Sequence, residues 1–160
     1  MKSLDDLMTH FVRDIYYAEK QIVKTLPKMA RKAESDQLKS LLEEHRDETE
    51  QQIENLEKVF EHLGMRPRGV TCEAILGILE EGKDIMEEAS DGDTRDAGMI
   101  AAAQAVEHYE ITRYGTLIAW ARQLGRDEIV PLLEANLAQE EGADAKRSKL
   151  AEQRVNRKAA

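Results

Sequence analysis

Apolar residues recur three or four positions apart along most of the chain, and no stretch alternates apolar and polar residues with a period of two. This spacing is typical of amphipathic helices rather than of β-strands. Long stretches consist of Ala, Leu, Glu, Lys, Gln and Arg, which favour helix, and only three prolines and nine glycines interrupt them. The pattern therefore predicts an all-α protein.

Breaks in this pattern predict four long helices and one short one. The first long helix runs from about Ser3 to Ala33, and the second runs from a Ser35/Asp36 cap to Leu63–Gly64. The short helix then extends from Cys72 to about Ala89, with Thr71 as its cap.

The remaining two long helices occupy the C-terminal half of the chain. The third runs from about Thr94 to Leu124–Gly125. The fourth starts at an Asp127 cap, carries Pro131 in its first turn, where a missing N–H matters little, and ends near Gln153. Residues 1–153 are predicted to form a single domain, and the basic tail, residues 154–160, is expected to fray.

The lengths of the connections predict how the helices pack. Short links join the first long helix to the second and the third to the fourth, so each pair is expected to be antiparallel. The connection from Gly64 to Asp93 is long and carries the short helix, which lets the third long helix run parallel to the second. This predicts a ferritin-like four-helix bundle with one long crossover carrying a short fifth helix. A plain up-and-down bundle with an extra arm is the alternative.

Composition limits the partners that this bundle can have. The chain has 160 residues and a formal net charge of −9, which argues against nucleic acid and anionic membranes because phosphate binding needs a basic face. A cation fits the acidic balance better. The single Cys72 allows no intramolecular disulfide. No signal peptide is predicted, and no apolar run reaches the roughly 20 residues of a membrane span.

Polar side chains interrupt the apolar stripe of every long helix near its middle. A projection at about 100° per residue places them on or beside the inward faces: Glu19 in the first helix; His45, Glu48, Thr49 and Gln52 in the second; Gln104, Glu107 and Glu110 in the third; Glu140 and Asp144 in the fourth. Glu107 lies close to the line of the stripe, and Gln104 and Glu110 lie to either side of it. Each long helix thus carries an inward carboxylate.

Buried carboxylates that converge need compensating charge. A lone buried carboxylate is costly and shifts its pKa upward, and several together repel one another. Metal cations resolve both problems, and four-helix bundles hold pairs of metal ions with inward Glu residues and Glu-x-x-His motifs. Ligands rich in oxygen and poor in imidazole suit iron or manganese. The expected site holds two iron or manganese ions and no organic cofactor.

The same positions also have a purely structural interpretation. His45 alone is more typical of a hydrogen-bonded core histidine than of a metal ligand, His108 is expected to make a structural hydrogen bond, and Tyr114 is expected to pack. Gln52 and Gln104 would then join His45 and the tyrosines in a metal-free network that fixes the register of the bundle. In that case the protein acts by dimerising or by binding another protein.

Segments such as HRDETEQQIENLEKVFEHLG and RDAGMIAAAQAVEHYEITRYGTLIAWARQLG resemble the YciE/YciF family of bacterial stress-associated proteins. The resemblance extends from Leu4 to about Gln153 and is most specific around Glu19, His45–Glu48 and Glu107–Tyr114. It implies a ferritin-like, cytoplasmic, homodimeric protein linked to general stress. A stress protein that handles metal, oxygen or peroxide is the first hypothesis, and a non-enzymatic dimeric bundle is the second.

The wider superfamily of ferritins and rubrerythrin-like proteins implies a di-iron or di-manganese centre. Carried over by position, its ligands are Glu19, Glu48, Glu107 with Glu110, and Glu140. The sequence departs from the superfamily pattern on two helices, because Glu48-x-x-Gln51 and Glu140-x-x-Ala143 lack the histidine of Glu-x-x-His. His45 and Asp144 are the candidates to replace the missing histidines.

Overall fold

The computed structural model describes all 160 residues, and its regular structure is entirely helical. The elements are α1 (Leu4–Lys32), α2 (Asp36–His62), α3 (Glu73–Glu88), α4 (Gly92–Gln123), α5 (Val130–Leu150), a π-helical turn (Ala151–Val155) and α6 (Asn156–Ala159). The prediction of an all-α protein with four long helices and a short helix between the second and third is confirmed.

Local capping determines several of the helix ends. The side chains of Ser3, Ser35 and Asp91 each accept a hydrogen bond from the backbone N–H three residues further on, which satisfies a donor that the first helical turn leaves free. At the other end of α2 and α4, Gly64 and Gly125 adopt positive φ angles of 67° and 66°. Glycine reaches this conformation without a steric penalty, so it stops the helix.

Three predicted helix starts differ from the structure. α4 begins at Gly92 rather than Thr94, because Asp91 accepts from both the N–H and the hydroxyl of Thr94 at 2.8 Å. Cys72, rather than Thr71, is the N-cap of α3. Asp127 begins a turn instead of capping a helix, and α5 starts only at Val130.

The four long helices form a ring in the order α1, α2, α5, α4, in which each helix packs against its two neighbours. Asp5 near the start of α1 pairs with Arg126 just after α4, whereas Glu34 just after α1 bonds to Asp96 near the start of α4. α1 is therefore antiparallel to α4, and its short link makes it antiparallel to α2 as well. α2 and α4 consequently run parallel, and α3 is the crossover that packs on α1 and α4. This is the predicted ferritin-like topology.

Apolar side chains fill both ends of the bundle and leave a polar section between them. One end contains Met8, Val12, Ile15, Leu56, Val59, Phe60, Leu117, Ala121 and Leu133; the other contains Leu26, Met29, Leu38, Leu42, Met99 and Ile100. Burial of these side chains provides most of the stability of the fold. No helix has the length and apolar character that crossing a bilayer requires.

The C-terminal segment differs from the predicted frayed tail. The chain continues through the π-helical turn into α6, and Val155 is only 3% exposed. Arg154 also donates to the side chain of Gln37 at 3.2 Å. Residues 154–159 are therefore helical and pack on the bundle through one apolar side chain within a basic run.

The substitution Asp96→Ala is expected to lower the free energy of unfolding by about 2–3 kcal/mol. The buried carboxylate of Asp96 accepts the backbone N–H of Glu34 at 2.9 Å and of Ser35 at 2.7 Å, so its removal leaves two donors unpaired at the turn between α1 and α2. Urea unfolding measures the loss. Asp93→Ala is the control, because the side chain of Asp93 is 45% exposed; equal losses in the two variants would contradict this role of Asp96.

Candidate metal centre

A layer of buried polar side chains crosses the middle of the bundle and receives residues from all four long helices. Its members are at most 1% exposed: Glu19 from α1; His45, Thr49 and Gln52 from α2; Glu107, Glu110 and Tyr114 from α4; Asn136, Glu140 and Arg147 from α5. We call this set the polar layer. Its four carboxylates outnumber its cationic side chains, so it has an excess of negative charge when all of them are ionised.

Three members of the polar layer bring metal-ligand atoms together. A ring nitrogen of His45 and one carboxylate oxygen each from Glu110 and Glu140 lie within 4.8 Å of one another. Nε2 of His45 is 3.2 Å from Oε1 of Glu140, and Nε2 of Gln52 donates to the same oxygen at 2.6 Å. The His45–Glu110–Glu140 group therefore offers ligands from α2, α4 and α5 to one central point.

Several carboxylate oxygens around this group have no hydrogen-bond donor. They include Oε2 of Glu19, both oxygens of Glu110 and Oε2 of Glu140. Buried polar atoms are normally paired, and a buried unpaired charge is costly. Either protons or a cation must compensate these oxygens.

Burial and mutual repulsion decide where the protons reside when no cation is bound. Burial, together with the charge of Glu140, raises the pKa of Glu19 to about 8. Burial and the charges of Glu140 and Glu19 raise the pKa of Glu110 well above its usual value. Burial alone would also raise the pKa of Glu140, but His45 and Gln52 lower it below its usual value. At neutral pH the metal-free layer therefore holds protons on Glu19 and Glu110, and Glu140 is ionised.

Arg147 places a positive charge inside the layer. Its guanidinium contacts Oε1 of Glu107, and its Nη2 lies 3.1 Å from Nδ1 of His45. Burial lowers the pKa of Arg147 to about 10, so the guanidinium remains charged at neutral pH. Because a guanidinium can only donate, Nδ1 of His45 accepts, and neutral His45 carries its proton on Nε2 facing Glu140.

Hydrogen bonds connect the polar layer across the bundle. The hydroxyl of Tyr114 donates to Oε1 of Glu19. The side-chain amide of Asn136 donates to the Tyr114 hydroxyl at 3.1 Å and to the backbone oxygen of Gln52 at 3.2 Å, while Asn55 donates to Asn136 at 2.8 Å. Glu19 is thus held in place by contacts that reach α2, α4 and α5.

The structure brings five of the seven predicted ligands into the polar layer and leaves two outside it. The five are Glu19, His45, Glu107, Glu110 and Glu140. Within the layer, Glu107 faces Arg147 and lies beside the His45–Glu110–Glu140 group.

Glu48 and Asp144 lie outside the layer. Glu48 is partly buried. The side chain of Asp144 is 22% exposed and lies 3.2 Å from Nε2 of His108, and Gln104 donates to it at 2.9 Å. Asp144 thus belongs to a surface cluster, in which the side chain of His108, 65% exposed, lies within ion-pair distance of it.

The sequence patterns do not single out Arg147, and they predict only a packing role for Tyr114. Both positions carried a usable signal, because Arg147 follows Glu140 by seven residues and Tyr114 follows Glu107 by seven, which places each pair on one helical face. The basic run from Lys146 to Lys149 is typical of a solvated surface and obscured the signal of Arg147.

A small apolar cavity lies against His45. Its volume is about 10 Å³, and its lining includes Ile22, Leu26, Ala103 and Val106. A space of this size accommodates roughly one water molecule. The protein therefore has room for about one water-sized molecule beside His45, in a cavity whose lining includes none of the carboxylates of the polar layer.

The chain matches a protein-family model described as a domain of unknown function, DUF892, over residues 3–160. The protein YciF of Escherichia coli (strain K12) is 39% identical over 160 residues, which cover 99% of this chain and 96% of YciF.

Solved structures also match nearly the whole chain. YcfI from Rhodopseudomonas palustris has a TM-score of 0.91 at 50% identity and covers 92% of this chain and 94% of its own. The crystal structure of the E. coli stress protein YciF has a TM-score of 0.93 at 39% identity, covering 98% and 99%. A protein from Xanthomonas campestris pv. campestris has a TM-score of 0.74 at 22% identity, covering 94% and 92%; at this identity the likeness concerns the fold alone.

Proposed function

This chain belongs to the DUF892 family and is a relative of YciF, which confirms the resemblance seen in its segments, and we propose that it binds iron or manganese inside its helical bundle. The observation that carries the proposal is the His45–Glu110–Glu140 group, whose ligand atoms converge within 4.8 Å while carboxylate oxygens around them lack donors. A divalent or trivalent cation would compensate the negative charge that two protons now compensate.

The chemistry of the donor atoms fits such an ion. Two carboxylates and one imidazole suit iron or manganese better than zinc or copper. Metal binding requires Glu110 to release its proton. The positive charge of the ion also favours ionisation of Glu19, which then releases its proton as well. When Nε2 of His45 is the ligand, it must lose its proton, and the ring proton then lies on Nδ1, 3.7 Å from Oε1 of Glu107. Because Arg147 can only donate, its guanidinium must then turn away from Nδ1 while it keeps its contact with Glu107.

The surrounding residues limit what can reach the ion. When bound, iron or manganese would act as a Lewis acid and exchange electrons with a small ligand such as oxygen or peroxide. The complete burial of the polar layer excludes bulk water, and the cavity against His45 admits only a molecule of about the size of water. Handling of metal, oxygen or peroxide fits this geometry, and one relative, YciF of E. coli, is described as a stress protein.

The variant Glu110→Gln is expected to lower the metal content of the purified protein by more than about tenfold. The change removes a central ligand while it keeps the size and polarity of the side chain. Untagged protein from cells grown with iron and manganese would be analysed by inductively coupled plasma mass spectrometry.

Glu48→Gln is the matched control for this variant. Glu48 lies on the same bundle but outside the His45–Glu110–Glu140 group, so its replacement should leave the metal content within about twofold of wild type. Equal metal content in wild type and Glu110→Gln would contradict the proposed site.

A second candidate function is a metal-free bundle that acts through a second copy of itself or through another protein. It is favoured by the contacts that the layer makes without a metal: the guanidinium of Arg147 contacts Glu107, and Asn136 links Tyr114 to α2. The same experiment separates the two functions. Wild-type protein that is folded but free of metal after growth in iron and manganese would support this candidate.

A further inference from the structure

The polar layer already contains one built-in cation beside the metal-ligand group. We propose that the layer holds a single metal ion and that the guanidinium of Arg147 takes the place where a second ion would lie. This inference rests on the proposed metal-binding function and specifies its stoichiometry. It departs from the two ions that the sequence predicted.

Arg147 blocks part of the ligand set that a second ion would need. Two-ion centres hold their ions about 3.5–4 Å apart, with ligands on both sides. Two carboxylates flank the His45–Glu110–Glu140 group: Glu19, one oxygen of which accepts from Tyr114, and Glu107, which the guanidinium of Arg147 contacts. Nη2 of Arg147 also lies 3.1 Å from Nδ1 of His45. Arg147 therefore occupies the side of His45 and Glu107 to which a second ion would bind.

The charges of the layer lead to the same conclusion. Its four carboxylates, Glu19, Glu107, Glu110 and Glu140, supply at most four negative charges. Two divalent ions together with Arg147 would carry five positive charges, which leaves an uncompensated positive charge in a fully buried site. One divalent or trivalent ion together with Arg147 is balanced within the available carboxylates and needs fewer protons.

The positions where a Glu-x-x-His pattern would supply further ligands are also unsuitable. Gln51 is exposed on α2, and Ala143 is 5% exposed on α5 but has no ligand atom. Arg147 lies four residues after Ala143 and therefore on the same face of α5, one turn further on. The helix that would carry the second histidine carries a buried cation instead.

The stoichiometry of Mn(II) binding tests the inference. Metal-stripped wild-type protein would be titrated with Mn(II) alone by isothermal titration calorimetry, and bound manganese would be counted after desalting. One Mn(II) per chain is expected. Two per chain would overturn this inference and leave the proposed metal function intact, whereas no binding would overturn both.

Two variants test the part played by Arg147. Arg147→Gln removes the guanidinium and frees Glu107, so the number of bound Mn(II) ions per chain is expected to rise from one to two. The double variant Glu107→Gln/Arg147→Gln removes both members of the ion pair and is expected to bind one, because neither side chain is a ligand of the single ion.

Circular dichroism establishes that each variant is folded. A folded Arg147→Gln protein that still binds a single ion would overturn the inference that the guanidinium excludes a second one. If that variant does not fold, the double variant, which has the same net charge as wild type, is the test. Retention of one ion supports the inference. Loss of binding shows that Glu107 or Arg147 holds the metal and overturns the inference.

Discussion

Replacing Arg147 by methionine is expected to lower the free energy of unfolding of the metal-free protein by about 3–5 kcal/mol. The guanidinium is 1% exposed and contacts the fully buried carboxylate of Glu107. Methionine fills much of the same volume but leaves Glu107 charged and unpaired, or forces it to take up a proton. Guanidinium chloride unfolding at pH 7.5 in the presence of a chelator measures the difference.

The double variant Glu107→Leu/Arg147→Met is the control that separates charge from packing. Because the desolvation of a buried ion pair offsets most of its attraction, replacement of both partners by apolar residues is often neutral or stabilising. The double variant is therefore expected to be within about 1 kcal/mol of wild type or more stable. If the single variant cost no more than the double one, Glu107 and Arg147 would not be coupled.

The fold could be predicted from the sequence because its signals are local. Ser3, Ser35 and the glycines at positions 64 and 125 act within one helical turn, and the unequal lengths of the links restrict the topology to a few choices. The displaced starts of α4 and α5 show the limit of this reasoning. Asp91 and Asp127 are the same residue type, but Asp91 lies in extended backbone at the start of α4 and caps it, whereas Asp127 lies in a turn before α5.

The candidate site could be predicted only in part. Helical spacing indicates the side of the helix to which a residue points, but not which other helix lies there. Glu107 and Glu110 point about 60° apart on one helix, and the sequence placed Glu110 at the edge of the stripe. Both are fully buried, since α4 packs against α1, α3 and α5 and therefore has few exposed sides. Asp144 shows the opposite error: its direction is close to inward, but Gln104 and His108 hold it at the surface.

Charged residues in a helical run are the hardest to assign. Arg147 lies between Lys146 and Ser148, and its neighbour Lys146 is an exposed residue paired with Glu44. Lys146 and Arg147 can be distinguished only by the helices that pack around them, because Arg147 contacts Glu107 and His45 inside the bundle. An arginine seven residues after a buried glutamate is therefore worth considering as a buried partner whenever the bundle carries excess carboxylates.

Raising the pH from about 4.5 to 8 is expected to destabilise the metal-free protein, with about 4 kcal/mol of the loss coming from Glu19. Glu19 has a pKa of about 8 in the folded protein and an ordinary value of 4.5, so between these pH values the folded state holds a proton that the unfolded state has lost. Each pH unit in this interval then favours unfolding by about 1.4 kcal/mol. Guanidinium chloride unfolding at a series of pH values, with chelator present, measures the slope.

The other titratable side chains around Glu19 also contribute to the change of stability with pH. Glu110, whose pKa is also raised, acts in the same direction, whereas the lowered pKa of Glu140 affects stability only below about pH 4.5. Burial raises the pKa of Tyr114 well above its usual value, so its hydroxyl stays protonated.

Glu19→Gln keeps the hydrogen bond to Tyr114 without a titrating proton and should flatten the slope by up to about 1.4 kcal/mol per pH unit. An unchanged slope in that variant would assign the bound protons to other carboxylates. Added Mn(II) should have the opposite dependence, because a cation competes with those protons and therefore stabilises the protein more as the pH rises.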